Sequence, residues 1–585
     1  MEAITTARLQ LAGLRDRIVG CDVPIPTPFG ERPLVYADYT ASGRCLDFVE
    51  DYLRGVATVY ANCHTEDSYT GRKATHLLDQ AEASIRRAVN AGPNGKVIAI
   101  GAGSTAAIHK LQEILGVAVP PPTCRMLNEA AGAVLDEEGL MELQSEIRKG
   151  SPVVFVGPFE HHSNEVTWRE GFADVVEVEL NPAGGLDVEH LARLLADPAW
   201  EGRRKIGSFS AASNVTGVLT PVHEVARLLH RHDAIALFDF AAAGPYVEVD
   251  MNPAGDPEAR LDAVFLSPHK YLGGPGSAGL LVFDGGLYPH DLPPTVAGGG
   301  TVVYVTDDGH AFTSDIEARE KAGTPALFQT LRAALALEVK DAIGAEAIHD
   351  REQELLRRAF ARWLIIPSLE VLGPHDPDAR LGIVSFNVRD ARGYLHPRFV
   401  CTLLSDLFGV QSRAGCSCAG PYAHRLLQID AERAGRMRGW AERGVHGVKP
   451  GWCRVGLHYS MDDAEADYLI ESVAFVAEHG RRFLPLYRFE LASGVWTHRD
   501  AAPAPQGFSL AAALEDAAPA APARGLVGRR ELYAGALSEA RSLAATLDDA
   551  PADGVLSDDL AELQYFPVLA DGLDEESSDG FCGGF

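Results

Sequence analysis

The stretch VFLSPHKYLGGPGSAGLLVF, Val264 to Phe283, sets one lysine, Lys270, between two apolar runs and puts four glycines into the seven residues Gly273 to Gly279. A buried ammonium is costly unless it is paired or neutralised. A lysine kept at the entrance to a packed interior is one whose proton is placed to leave. The flanking runs AVFLSPH and AGLLVF read as buried strands, and four more of the same kind precede them: KVIAIGAG, PVVFVGP, RKIGSFSAAS and AIALFDFAA. Most are bounded by Gly, Pro, Ser or Asn. Between them, DVEHLARLLADPAW and PVHEVARLLHRHD carry apolar residues at helical spacing. Strand and helix alternating in this way predict an α/β fold, with a mainly parallel sheet covered on both faces.

A smaller unit is expected after the helical stretch TPALFQTLRAALALEVKDAIG. It holds a strand in LGIVSFNV, a helix in HPRFVCTLLSDLFGV and another in AEADYLIESVAFVAEHGRRF. Beyond Asp500, AAPAPQGFSLAAALEDAAPAAPARG reads as an Ala/Pro-rich linker, and the closing DGLDEESSDGFCGGF reads as disordered. The expected divisions are 1–30, a segment packing on the small domain; 31–340, the large cofactor-binding domain; 341–490, the small domain; and 491–585, a partly disordered acidic extension.

The 585 residues are 46% hydrophobic and 23% charged, as in an ordinary globular protein of one large domain with satellites. A formal net charge of −29 argues against nucleic acid or an anionic membrane surface as the main partner. Part of that charge is local: from Ala501 to Phe585 there are 15 acidic residues against four arginines, a net of −11. No apolar run approaches the roughly 20 residues of a membrane span. The opening MEAITTARLQLAGLRDRIVG has no basic segment leading a long apolar block, so no signal peptide is expected. Nine scattered cysteines do not read as a disulfide framework; they are expected as thiols in a reducing cytoplasm.

In open parallel sheets, ligands sit at the carboxyl ends of the strands. Asp239 closes AIALFD and Lys270 lies just past AVFLSPH, so both are expected on that rim. Singly, Asp239 reads as a strand-end turn former and Lys270 as a snorkelling surface lysine. Together they fit a pyridoxal phosphate site, which needs an amine for the aldehyde and a carboxylate to keep the ring nitrogen protonated. AIGAGSTAAIHKL runs from a strand through Gly101, Gly103, Ser104 and Thr105 into a helix, offering N–H groups and hydroxyls to a phosphate. Gly101 to Ala106 also fits the G-x-G-x-x-A dinucleotide pattern, but about 20 residues on the chain reads VAVPPPT, with no acid for a ribose.

The motifs YADYTASG, EHHSNEVTW, FDFAAA, SPHKYLGGPGSAGLL and CRVGLHYS, in this order, resemble the class V aminotransferase family of pyridoxal-phosphate enzymes, in its cysteine desulfurase-like (selenocysteine lyase-like) branch. The resemblance covers roughly three quarters of the chain, from about residue 36 to 460. It implies the fold-type-I transferase architecture, with a large domain and a smaller α+β C-terminal domain. Lys270 matches the lysine that carries the cofactor and Asp239 its ring-nitrogen partner. His161 matches the histidine that stacks on the ring, and Asn214 a neighbour of the phenolic oxygen. Ser104, Thr105, Ser267 and His269 match phosphate ligands, and Thr301, in AGGGTVVYV, a contributor to the other subunit's phosphate in a homodimer. Arg454 matches the arginine that grips a substrate carboxylate, with Arg413 as a second near it. Cys418 falls where the desulfurase nucleophile sits, and Cys416 could relay. The implied reaction takes cysteine to alanine and passes the sulfur to Cys418, then to an acceptor protein.

Alternatives stay open on the residues alone. Cys416, Cys418 and His424 are three candidate metal ligands lacking a fourth at zinc-like spacing, so no metal is expected. The same site serves an aminotransferase, epimerase or β-lyase without a persulfide, and a degenerate member could be a scaffold. The sequence departs from the family at Ala242, where glutamine is common, and at Lys321, where an acid is frequent.

Overall fold

The structure, a computed structural model, describes residues 9–501, 525–548 and 553–574. Most of the expected linker and the end of the acidic extension (502–524 and 575–585) lie outside the described residues, as do residues 1–8 of the N-terminal segment. The chain divides into two compact units. One holds Thr40–His349 and Ala379–Leu381; the other holds Leu11–Tyr39, Asp350–Asp378 and the chain from Gly382.

The first unit is built on seven strands: β1 Gly95–Ile100, β2 Val153–Val156, β3 Asp174–Glu177, β4 Lys205–Ser210, β5 Ala234–Asp239, β6 Ala263–Leu266 and β7 Gly279–Asp284. Their order across the sheet is β3-β2-β4-β5-β6-β7-β1. Six of these are the apolar runs read from the sequence; β3 is an added edge strand. The five strands from β3 to β6 are parallel, with Ser210 opposite Asp239 and Asp239 opposite Phe265. Only β7 runs back, antiparallel to both β6 and β1. In consequence β1 points the same way as β6, and the carboxyl ends of β1, β2, β4, β5 and β6 share one rim.

Helices pack on the sheet through the stripes their spacing predicts. Helix α1, Ser104–Ile114, buries Ala107, Ile108, Leu111 and Ile114. Next come α2, Pro121–Val134, and α3, Glu137–Gly150, in neither of which any residue is buried. Met126, Leu127, Val134, Met141, Leu143 and Ile147 of this pair all face solvent. Helix α4, Val188–Leu195, starts at Asp187, whose carboxylate accepts the His190 N–H at 2.8 Å. Helix α5, Val222–Arg231, buries Val225, Ala226 and Leu229. The long helix foreseen after the glycine loop is α6, Leu327–Ile343.

The second unit carries an antiparallel sheet of β8 Leu369–Val371, β9 Ile383–Asp390, β10 Arg413–Gly415 and β11 Trp452–Gly456, in the order β8-β9-β11-β10. Helix α7, Pro397–Phe408, ends at Gly409, whose φ of +68° and closeness to the Pro33 carbonyl admit no side chain. Helix α8, Asp463–His479, begins at Asp462, which accepts the Glu465 N–H at 2.9 Å. Strand β12, Tyr487–Glu490, pairs with β13, Val495–His498, and β14, Leu573–Asp574.

The described part of the extension joins this unit's core. Helix α9, Leu526–Thr546, buries Ala536, Ala540 and Ala544 at a spacing of four, and its Tyr533 stacks on Tyr468 of α8 with ring centroids 4.1 Å apart. Such a stripe lets two helices approach closely while giving little hydrophobic contrast in the sequence. Among the described residues, no helix is long and apolar enough to cross a membrane.

Candidate active site

On the shared rim of the first unit lies a cavity of about 170 Å³. Ser104, Thr105, His161, Asn214, Asp239, Ser267, His269 and Lys270 line it, with Gly103, Ser210, Ala212, Ala241 and Ala242. The sequence placed most of these at strand ends, and strand ends put them here. Asp239, last residue of β5, is 4% exposed and accepts the Ala241 N–H at 2.8 Å. Burial pushes its carboxyl above the ordinary carboxylate range, against the Ala241 N–H, the Lys270 charge and the Ser104 hydroxyl, which pull it down.

After β6 the chain makes one tight turn, Pro268–Lys270, which brings Ser267 and His269 to the same wall as Lys270. Ser267 Oγ accepts the Ser104 N–H at 2.9 Å, tying this turn to the start of α1. His269 Nδ1 lies 2.7 Å from the Ala102 carbonyl, which can only accept, so Nδ1 carries the proton. Burial and then the Lys270 charge lower the affinity of His269 for a second proton. The glycines behind Lys270 are a packing necessity: a methyl at Gly274 would stand 1.8 Å from the Pro268 carbonyl oxygen.

His161 follows β2. Its Nδ1 accepts the Ser163 N–H at 3.1 Å, which leaves the ring proton of the neutral form on Nε2. Beneath it sits Glu160, which the sequence reading passed over. Glu160 is 3% exposed and accepts from Ser210 N–H (2.8 Å), Ser210 Oγ (2.6 Å), Asn164 Nδ2 (2.7 Å) and Gly157 N–H (3.2 Å). Burial raises its carboxyl to about 7, with Asp239 adding to the rise. Its only signal was an acid immediately before the histidines of EHHSN.

Thr301 is buried outside this lining, and its hydroxyl donates to the Gly298 carbonyl at 2.7 Å. Lys321, one of the departures noted above, donates to Glu82 at 2.6 Å, so a buried acid elsewhere answers the added cation.

The remaining residues belong to the second unit. Arg413 and Arg454 face each other across β10 and β11. Arg413 Nε lies 2.9 Å from Asp38 Oδ2, and Arg454 Nη2 3.1 Å from Asp38 Oδ1. Arg454 is buried and Arg413 half open, and Asp38, in YADYTASG, is the shared anion that the sequence did not single out. Cys418 is exposed, at φ 56°, after Ser417 at φ 54°; two successive non-glycine residues in the left-handed region hold this loop taut. It interacts electrostatically with Arg413. Cys416 differs: its Sγ donates to the Pro450 carbonyl at 2.8 Å, and burial pushes its thiol to about 11.

The sequence profile of the class-V aminotransferases matches residues 140–469, 330 of the 585 positions. The chain belongs to the class V aminotransferase family. A probable cysteine desulfurase of Halalkalibacterium halodurans is 27% identical over 398 residues, covering 66% of this chain and 85% of that one. A probable cysteine desulfurase of Staphylococcus aureus is 29% identical over 410 residues, covering 68% and 87%. Among solved structures, the apo cysteine desulfurase of Thermococcus onnurineus NA1 superposes with a TM-score of 0.59 at 21% identity, covering 76% of this chain and 95% of that one. The cysteine desulfurase CsdA (S-sulfonic acid) of Escherichia coli does so at 0.56 and 21%, covering 80% and 99%. These likenesses carry the fold: the class V fold-type-I architecture, with its mostly parallel sheet.

The family's enzymes depend on pyridoxal 5′-phosphate, and so does this one. The cavity fits that group. It offers one amine, one buried carboxylate, and hydroxyls at a helix start where Gly103 keeps the approach open, since a methyl there would stand 2.9 Å from His269 Cε1.

Proposed function

We propose that this enzyme is a cysteine desulfurase that converts L-cysteine to L-alanine and takes the sulfur as a persulfide on Cys418. When bound, pyridoxal phosphate supplies an aldehyde for the substrate amine and a ring that withdraws electrons. Lys270 anchors the cofactor and moves the proton at the substrate carbon through Nζ. Asp239, which lies in the field of Lys270, keeps the ring nitrogen protonated. His161 presents its Nε2–H to the ring side of the cavity, and Asn214 supplies the polar contact that Ala242 lacks. Ser104, Thr105 and Ser267 seat the phosphate, with His269 beside them, its Nδ1 committed to Ala102. Arg454 and Arg413 receive the substrate carboxylate in exchange for Asp38. The C–S bond breaks toward the Cys418 thiolate, the sulfur becomes Cys418–S–SH, and a proton replaces it on carbon.

The observation that carries this reading is the contrast within one loop. Cys418 is exposed beside a guanidinium, whereas Cys416 is a hydrogen-bonded thiol whose pKa burial raises. The names of the relatives support the same substrate. We further propose a cytoplasmic homodimer in which Thr301 serves the second copy's phosphate, residues 31–340 as the cofactor-binding domain, and a protein acceptor for the sulfur.

Two variants test the proposal. Purified wild-type protein should absorb in the violet, and Lys270→Ala should abolish that band. Cys418→Ser should stop sulfide release from cysteine while leaving the band intact. A Cys418→Ser protein that keeps full turnover to alanine sinks the persulfide step and favours a β-lyase, the reading to which Ala242 lends itself.

A further inference from the structure

Among the second-unit thiols that the proposed reaction does not use are Cys401 and Cys453. Cys401 lies on α7 and Cys453 on β11, and Ser412, just ahead of β10, stands between them. Ser412 Oγ is 3.2 Å from Cys401 Sγ and 3.6 Å from Cys453 Sγ. The two thiols thus share one hydroxyl: Ser412 Oγ donates to Cys401 Sγ and accepts from Cys453 Sγ. Their surroundings differ. Cys453 is 1% exposed. Cys401 is half-buried and forms part of the wall of a cavity of about 400 Å³, together with Arg398, Thr402, Ser405 and Gln411.

The same asymmetry appears in their acidity. The Cys453 thiol and the Ser412 hydroxyl stabilise a thiolate at Cys401 and lower its pKa, against burial. Cys401 Sγ also donates to the Ser412 carbonyl at 3.1 Å, a contact that favours the thiol. Burial and the neighbouring sulfur hold Cys453 protonated. Cys401 Sγ therefore stands at the cavity wall, and Cys453 Sγ reaches the same Ser412 hydroxyl from the buried side.

We propose that Cys401 and Cys453 form a second thiol site, in which Cys401 attacks a low-molecular-weight disulfide entering this cavity and Cys453 resolves the adduct into a Cys401–Cys453 disulfide. In the first step the Cys401 thiolate forms a bond to one sulfur of R–S–S–R and expels RS⁻. In the second, Cys453 gives its proton to that thiolate, attacks the Cys401 sulfur and expels the other RS⁻. Two protein thiols are oxidised and one small disulfide is reduced to two small thiols. Cys453 immediately precedes Arg454, so the new bond forms one residue from one of the two cations that hold Asp38. The proposal rests on the thiols alone and not on the desulfurase reading.

The test treats the full-length protein with oxidised glutathione under native conditions. Remaining thiols are then blocked with iodoacetamide and the peptides weighed. A cross-linked Cys401–Cys453 peptide, lost on treatment with dithiothreitol, is expected. Cys453→Ser should stop at glutathione on Cys401, and Cys401→Ser should leave Cys453 unmodified. Glutathione confined to Cys418, with Cys401 and Cys453 both alkylated, overturns the proposal, as does a Cys453→Ser protein that behaves like wild type. Should a variant fail to fold, wild-type alkylation rates decide instead. Cys401 should label roughly tenfold faster than Cys416 at neutral pH, and equal rates refute the site.

Discussion

Asp239 sets a charge where burial opposes one, and the cavity is arranged to keep it. Its carboxylate loses water to β5 and regains the Ala241 N–H and the field of Lys270. Asp239→Asn preserves the shape and the bond from Ala241 while removing the charge. The variant should fold with an unchanged unfolding midpoint and lose turnover roughly 10²–10³-fold, the usual scale for one preorganised electrostatic group. Turnover and thermal unfolding measured side by side check this, and a matching loss of stability would mean that Asp239 acts through packing. Asp239 and Lys270 were legible in the sequence because each follows directly from where a strand ends. Glu160 and Asp38 were not, since their meaning lies in partners far along the chain: Ser210 for one, Arg454 for the other. The Pro450 carbonyl that holds Cys416 was illegible for the same reason, lying 34 residues further along the chain.

Among the elements, the strands of the large sheet were readable because parallel strands buried on both faces are continuous apolar runs. Strand β3 escaped because it sits at the edge, half-buried throughout. The α2–α3 pair is the opposite case, regular helix with nothing buried. Its two ends are close together: the Phe172 N–H donates to the Val117 carbonyl, and the Asp174 N–H to the Pro152 carbonyl. Residues 172 and 174 are at most about 7 Å apart, and each stem adds one hydrogen-bonded spacing of about 5 Å, so the stems lie within about 17 Å of each other. A short Gly/Ser bridge can therefore replace residues 121–150. Since no apolar side chain of the pair supports the sheet, the excised protein should keep its unfolding midpoint within a few degrees and retain the violet band. A collapse of either would show that the pair props up the rim. The helix of the extension was unreadable for a third reason: the Ala stripe of α9 packs by close approach and gives little hydrophobic contrast in the sequence.

At the scale of the whole molecule, buried titratable groups set how stability follows pH. Glu160 is raised from 4.5 to about 7 and Glu352, 3% exposed and accepting the Gly382 N–H, from 4.5 to about 8, both by burial. Between 4.5 and these values the folded state binds protons that the unfolded chain has lost, so stability falls as pH rises through that window. His396 and His458 act in the other sense. Burial lowers each from 6.5 to about 3, so below 6.5 only the unfolded chain takes the proton, and stability falls as pH drops. Between about 4.5 and 6.5 the contributions of these two pairs oppose each other and largely cancel. Above 6.5 the carboxyls act alone. Glu352 by itself is worth about 1.4 kcal/mol per pH unit there, or about 2 kcal/mol by pH 8. The net charge of −29 pushes the same way, since every further ionisation adds to self-repulsion, and that part should shrink in salt. Urea midpoints at pH 6.5 and pH 8, taken in high salt, isolate the buried groups. Wild type should lose stability over that interval and Glu352→Gln should lose markedly less. If the variant keeps the whole slope, Glu352 is already ionised in the folded protein, and the fall on the alkaline side must come from the surface.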